Sequence, residues 1–284
     1  GVDYDKVYDD FNAPLEQKEH GVLLNPLPRE VSNSKTGYLI NGKANDAFIA
    51  VNQLLKSGVK VFRDLETKDF YVDAKAGNKL KEFGSQLGLQ SQPVSSKPKQ
   101  LEPVESMKIG LFDYYGGSMP SGWVRWILEQ YGFDYKLFYP QDIDNNTIKN
   151  FDVLLFIGQG IPAFGSNSGG RSVDESIVPE KYKHMLGAVS TEKSLPILKS
   201  FVENGGQILT VGSSSDLVYH FNLPVENPLM ETGKDGKKIK LSNVKYYVPT
   251  SILKAEVDIT KPENYGLTKD LNIVFNNSPV FKFQ

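Results

Sequence analysis

A glycine followed by three serines, Gly212-Ser213-Ser214-Ser215, comes directly after the apolar stretch Gln207 to Val211 and before a short helical pattern. A sharp strand-to-helix turn of this kind can present a hydroxyl nucleophile to backbone N–H groups that hold an oxyanion. Ser213 and Ser214 are the candidate nucleophiles. A serine in that role needs a general base within about 3 Å, usually a histidine. The chain has three histidines, His20, His184 and His220. His220 is five residues beyond Ser215, which on one helix turns it about 140° away. No histidine follows it. Asp216 also stands where an elbow carries its second glycine. The favoured reading is that Ser214 or Ser215 caps a helix, with a Lys or carboxylate base as the remaining route to an enzyme.

Two further loops invite a ligand. Gly116-Gly117-Ser118 precedes a helical stripe, and unpaired amides at a helix start attract anions. The spacing lacks the lysine of a phosphate loop and the pattern of a dinucleotide fingerprint, so turn geometry and helix entry are favoured. Trp123 and Arg125 could form a platform, although a Trp over a core edge with Arg in solvent is the commoner arrangement. Gln159 and Gly160 follow the apolar run Asp152 to Ile157. With Gly212, Ser215 and Asp216 these residues make the candidate ligand set, and Tyr114 and Tyr115 could add aromatic walls. Metal ligation has little support: no histidine begins His-x-x-Glu, and Glu180 with His184, one turn apart, reads as a surface contact. No cofactor is expected.

The elements that would position these residues form two α/β groups. In the first, Tyr38-Leu39-Ile40 reads as a strand, and Ala44, Ala47, Phe48, Val51, Leu54 and Leu55 keep helical spacing. Gly58 stops that helix, and Val59 to Phe62 and Phe70 to Val72 read as strands. A second helix carries Leu80, Phe83 and Leu87 and ends at Gly88. Residues 1–90 are expected to hold an N-terminal segment and this small domain, with 1 to about 37 wrapping over another surface. Residues 91–106 carry Pro93, Pro98 and Pro103 and read as a linker.

Residues 107–284 alternate strand and helix more strongly. Strands are expected at Lys108–Phe112, Tyr135–Tyr139, Asp152–Ile157 and Gln207–Val211. Helices run through Val124, Ile127, Leu128 and Tyr131, and through Leu195, Leu198, Phe201 and Val202. A third, short helix spans Ser215–Phe221. That alternation predicts a parallel sheet covered on both faces, with ligands at the carboxyl ends of its strands. A hairpin turn is expected at 234–237. Strands near Leu253–Asp258 and Ile273–Phe275 are expected to complete the sheet.

Composition narrows the classes. The 284 residues are 39% hydrophobic, with 32 basic against 34 acidic side chains. A formal charge of -2 gives no reason to expect nucleic acid as partner. No apolar run approaches the roughly 18–20 residues of a membrane span. The absence of cysteine removes disulfides, thiolate zinc sites and a cysteine nucleophile. A leading Gly in place of Met reads as a cleaved end, and the chain as a piece of a longer product.

Asp113-Tyr-Tyr-Gly-Gly-Ser-Met-Pro-Ser-Gly-Trp-Val-Arg-Trp-Ile-Leu-Glu-Gln-Tyr-Gly132 resembles the start of the class I glutamine amidotransferase-like domain at the C-terminal end of certain bacterial zinc carboxypeptidase-like proteins. Phe201-Val-Glu-Asn-Gly-Gly-Gln207, Gly212-Ser-Ser-Ser-Asp-Leu217 and Phe275-Asn-Asn-Ser-Pro279 are similar too, and Gly37 to Leu55 resembles the region that precedes that domain. The resemblance implies a flavodoxin-like, mostly parallel sheet and an exported parent with a peptidase domain that could be this region's partner. It carries over neither activity. The peptidase's zinc ligands have no counterpart here, Ser213 or Ser214 stands at the nucleophilic cysteine, and the downstream His-x-Glu pair is missing. The leading expectation is a non-catalytic accessory region that binds a small anion or polar ligand or packs against the peptidase domain, a serine hydrolase or a small-molecule or carbohydrate-binding module being the alternatives.

Overall fold

The computed structural model describes residues 8, 9, 12, 26–170, 173–233, 236, 238–275 and 278–284. Its first unit is a five-stranded antiparallel sheet with two helices. The strands and helices are β1 (Gly37–Ile40), α1 (Asp46–Lys56), β2 (Val61–Asp64), β3 (Phe70–Asp73), α2 (Gly77–Leu87), β4 (Ser91–Val94) and β5 (Leu101–Val104), in the sheet order β4-β1-β3-β2-β5. The helical stripe does what its spacing predicts: Ala47, Ala50, Val51 and Leu54 are buried against the sheet. Burying a side chain such as Leu54 contributes roughly 1.5–3 kcal/mol. Phe48 is the exception, lying edge-on to Phe70 with its other side in solvent. Residues 26–31 lie along α2, where Arg29 N donates to the Gly84 carbonyl at 2.8 Å and Val31 enters the core. Most of the earlier N-terminal segment falls outside the described residues.

The stretch read as a linker is built into this sheet. β4 pairs with β1, placing Tyr38 opposite Pro93, and β5 pairs with β2, placing Phe62 opposite Pro103. Proline excludes a strand from the middle of a sheet but is tolerated at an edge, where one N–H would face solvent anyway. Both of these strands are edges.

The second unit carries the expected parallel sheet. It comprises β6 (Ile109–Phe112), α3 (Met119–Gln130), β7 (Tyr135–Phe138), α4 (Pro140–Asp144), β8 (Val153–Ile157), the short pair β9 (Ser168–Gly169) and β10 (Val189–Ser190), α5 (Ser194–Glu203), β11 (Gln207–Val211) and α6 (Leu217–His220). The sheet order is β11-β8-β6-β7, and all three pairings are parallel. β8 sits second from one edge and is apolar on both faces because helices lie on both sides. Leu154 and Phe156 meet the layer that holds α4 and α5. Leu155 and Ile157 face the layer that holds Val124 and Leu128 of α3. Among the described residues α3 is the one helix in that second layer. Leu209 and Val211 on β11 stay about half exposed.

The chain after α6 does not extend the sheet. β12 (Val225–Glu226) pairs with β17 (Lys282–Phe283), β13 (Met230–Thr232) with β14 (Lys238–Lys240), and β15 (Ser251–Glu256) with β16 (Asp270–Phe275), each as a separate antiparallel ribbon. The strands expected to complete the parallel sheet thus pair with each other. A parallel partner needs a crossover of a dozen or more residues, usually an α-helix. After α6 the described residues hold only a three-residue 3₁₀ turn, Pro262–Asn264. The hairpin turn expected at 234–237 lies, apart from Gly236, outside the described residues. The loop between β15 and β16 reaches the first unit. The Tyr265 hydroxyl donates to the Thr67 carbonyl at 2.9 Å, and the Arg63 guanidinium lies 4.3 Å from both the Tyr265 and Phe70 ring centres.

Candidate functional site

The loops after β6, β8 and β11 meet at one rim, since parallel strands end on the same side. Gly158 is the junction. Its N–H donates to the Val211 carbonyl at 2.9 Å, its carbonyl accepts from the Ser214 hydroxyl, and Pro120 at the start of α3 lies beside it. The sheet order reverses between β6 and β8, where open α/β sheets place ligands.

After β6 the chain enters a buried carboxyl, Asp113, whose Oδ1 accepts from Tyr114 N at 2.9 Å. Gly116 and Gly117 both have positive φ and shape the turn, and the Ser118 hydroxyl accepts from Ser121 N as the cap of α3. Burial raises the Asp113 pKa above 3.8, against the pull of the Tyr114 amide and Arg125. An acid raised in the folded chain holds its proton more tightly there than when unfolded. Its contribution to stability is therefore complete below about pH 4 and is lost as pH climbs through the folded value. The stability of the parent protein relative to Asp113→Asn should fall as pH rises from 3 to 7. Urea titrations at several pH values would read this, and a rising difference would contradict it.

After β11 the elbow is tighter than the sequence suggests. Gly212 has φ +66°, a conformation costly for other residues, and the strand passes at once into a 3₁₀ helix, Gly212–Asp216, that leads into α6. Val211 takes the cap position with no side-chain bond. Neither Ser214 nor Ser215 caps a helix, because the helical turn starts before them. The buried Ser214 hydroxyl is committed to the Gly158 carbonyl, and the Ser215 hydroxyl accepts from Thr210 Oγ1 at 3.3 Å. Asp216 Oδ2 accepts from Phe164 N at 3.0 Å, and His220 Nε2 is bonded to the Pro162 carbonyl at 2.8 Å. These last two bonds pin the loop after β8 against the elbow. Ser213 alone of the three serines faces out.

Ser213 opens into a cleft of about 820 Å³, within the roughly 300–1,000 Å³ of small-molecule sites. Asp216 lines it with Ser213. Phe164 and Tyr219 line it too, as do Asn243, Tyr247 and Ser278 from the chain after α6. The Tyr219 ring sits 4.8 Å from Phe164 and 5.6 Å from Phe281, and its hydroxyl is buried with no hydrogen-bond partner. Burial, then Asp216, raises its pKa.

No family model matches this chain. No curated protein and no solved structure matches it either.

The remaining residues singled out by sequence lie away from the cleft. Trp123 is 63% exposed on α3, edge-on to Trp126, and Arg125 Nε donates to the Tyr135 hydroxyl at 3.4 Å. Gln159 is exposed. Gly160 is a packing residue: a Cβ there would lie 2.5 Å from the Phe112 ring. Glu180 pairs with Lys183 at 2.8 Å while His184 packs edge-on to Tyr139, so the two do not converge. Among the described residues no group of three His, Asp or Glu side chains is placed to hold a metal ion, and no helix is long and apolar enough to cross a membrane. Tyr219, Asn243 and Tyr247 carry no sequence signal, because they come from separate segments with no shared spacing.

Proposed function

We propose that this chain is a non-catalytic, ligand-binding accessory region whose site is the cleft beside the β11 elbow. The observation that carries this reading is the commitment of the elbow's groups. Ser214 is spent on the Gly158 carbonyl and His220 on the Pro162 carbonyl, so Ser213 faces the cleft with no histidine among the described residues placed to act as its base. The strand order, 2-1-3-4 counted from β6, supports a flavodoxin-like sheet. It agrees with the resemblance to the amidotransferase-like end of exported zinc carboxypeptidase-like proteins. On that reading the parent's peptidase domain is a partner of this region. The candidate anion loses ground, because the one charged side chain lining the cleft among the described residues is a carboxylate, Asp216.

Without a positioned base, an exposed serine hydroxyl at neutral pH is a poor nucleophile. Incubation with a fluorophosphonate that labels trypsin to completion should leave Ser213 and Ser214 unmodified by intact-mass spectrometry. Stoichiometric labelling that disappears in Ser213→Ala would establish a serine hydrolase instead.

A further inference from the structure

We infer that the cleft takes an uncharged saccharide, an inference that rests on the binding reading above. Two largely exposed aromatic residues line it: Phe164 is 61% exposed and Tyr247 is 67% exposed. They come from different segments, one from the loop after β8 and one from the segment before β15. Large exposed rings cost solvation free energy unless something covers them. A flat ligand with C–H faces stacks on such rings, and sugar rings have those faces.

The polar groups fit hydroxyls better than charges. Ser213, Asn227, Asn243, Ser278 and Asp216 are among the lining residues, and no Lys or Arg is among them in the described residues. Asn227 Oδ1 already accepts from Leu229 N at 2.9 Å, which leaves its amide N–H groups as donors. Asp216 Oδ2 accepts from Phe164 N, and Oδ1 has no hydrogen-bond partner among the described residues. A site that offers donors and an acceptor together matches a hydroxyl, which is both. An anion would meet the Asp216 carboxylate with no compensating cation.

The test titrates the full chain with maltotriose, cellotriose and chitotriose, followed by saturation-transfer NMR and calorimetry. At least one should bind, and Phe164→Ala and Tyr247→Ala should each weaken it by about tenfold or more. Both rings are exposed, so the melting temperature of each variant should stay within a degree or two of the parent's. Absence of binding by all three sugars overturns the inference, as does binding indifferent to both variants. Inorganic phosphate and a neutral tripeptide, titrated in parallel, separate the two levels. If either binds in a way that Phe164→Ala abolishes while the sugars do not, the binding reading stands and the saccharide falls. If no probe responds to either variant, the cleft itself falls as a binding site.

Discussion

Replacing Phe156 with alanine should lower stability by about 3–5 kcal/mol, the range for removing a buried aromatic ring. Phe156 is fully buried on β8, next to the β11 edge of the parallel sheet. It stacks on Phe112 at 5.0 Å and meets Phe138 edge-on at 5.5 Å, while those two rings meet each other at 5.6 Å. Three rings that brace one another cannot collapse into the space one of them vacates, so the cavity term stays large. A domain of this kind has about 5–15 kcal/mol in total, and the variant would lose a large share of it. Urea unfolding followed by circular dichroism should show a lower midpoint at an unchanged slope. A loss below about 1 kcal/mol would mean that the ring cluster does not bear the packing described.

Gly160→Ala should cost about 2–4 kcal/mol for two separable reasons. The residue has φ +143°, which L side chains rarely adopt. Its new methyl would also lie 2.5 Å from a Phe112 carbon, and Phe112 has no room to yield because Phe138 and Phe156 hold it. Gly205 provides the control. It has φ +93° and nothing within 4 Å of an added Cβ, so Gly205→Ala should pay for strain alone, about 1–2 kcal/mol. Paired thermal melts read the difference, which isolates the clash with the ring. Equal losses in the two variants would show that the ring gives way. Gly160 also begins the loop that carries Pro162 and Phe164, so its variant should loosen the wall of the cleft as well.

Much of the framework could be read from residue order, for physical reasons. The run from Val153 to Ile157 is apolar at every position, as a strand covered on both faces requires. The α1 stripe and the stop at Gly88 follow from helical spacing and a left-handed cap. Proline misled the reading of 91–106, because the same residue that breaks a central strand is tolerated at an edge. Ser251–Glu256 and Asp270–Phe275 misled it differently. A short apolar run looks alike in a parallel sheet and in a ribbon, and the connection between strands decides which forms. The elbow was visible as a turn, but its serines' partners were not. The Ser214 bond to Gly158 spans 56 positions, and no local pattern encodes it. The cleft was hidden for the same reason, since its rings come from a loop, a short helix and the chain after α6.

The four outer strands of the two larger sheets differ in how they meet a neighbouring chain. Pro93 on β4 and Pro103 on β5 offer no N–H at those positions, and β7 carries the charge of Lys136. β11 has none of these guards. Its residues, Gln207-Ile-Leu-Thr-Val211, are uncharged, and Leu209 and Val211 project from its poorly covered face. Unpaired backbone beside exposed aliphatic side chains is the template on which strands of separate molecules add to one another. A formal charge of -2 provides little repulsion to keep such molecules apart. Of the four outer strands of these two sheets, β11 is thus the one with neither proline nor charge among the described residues, and chains brought together at high concentration are expected to pair along it.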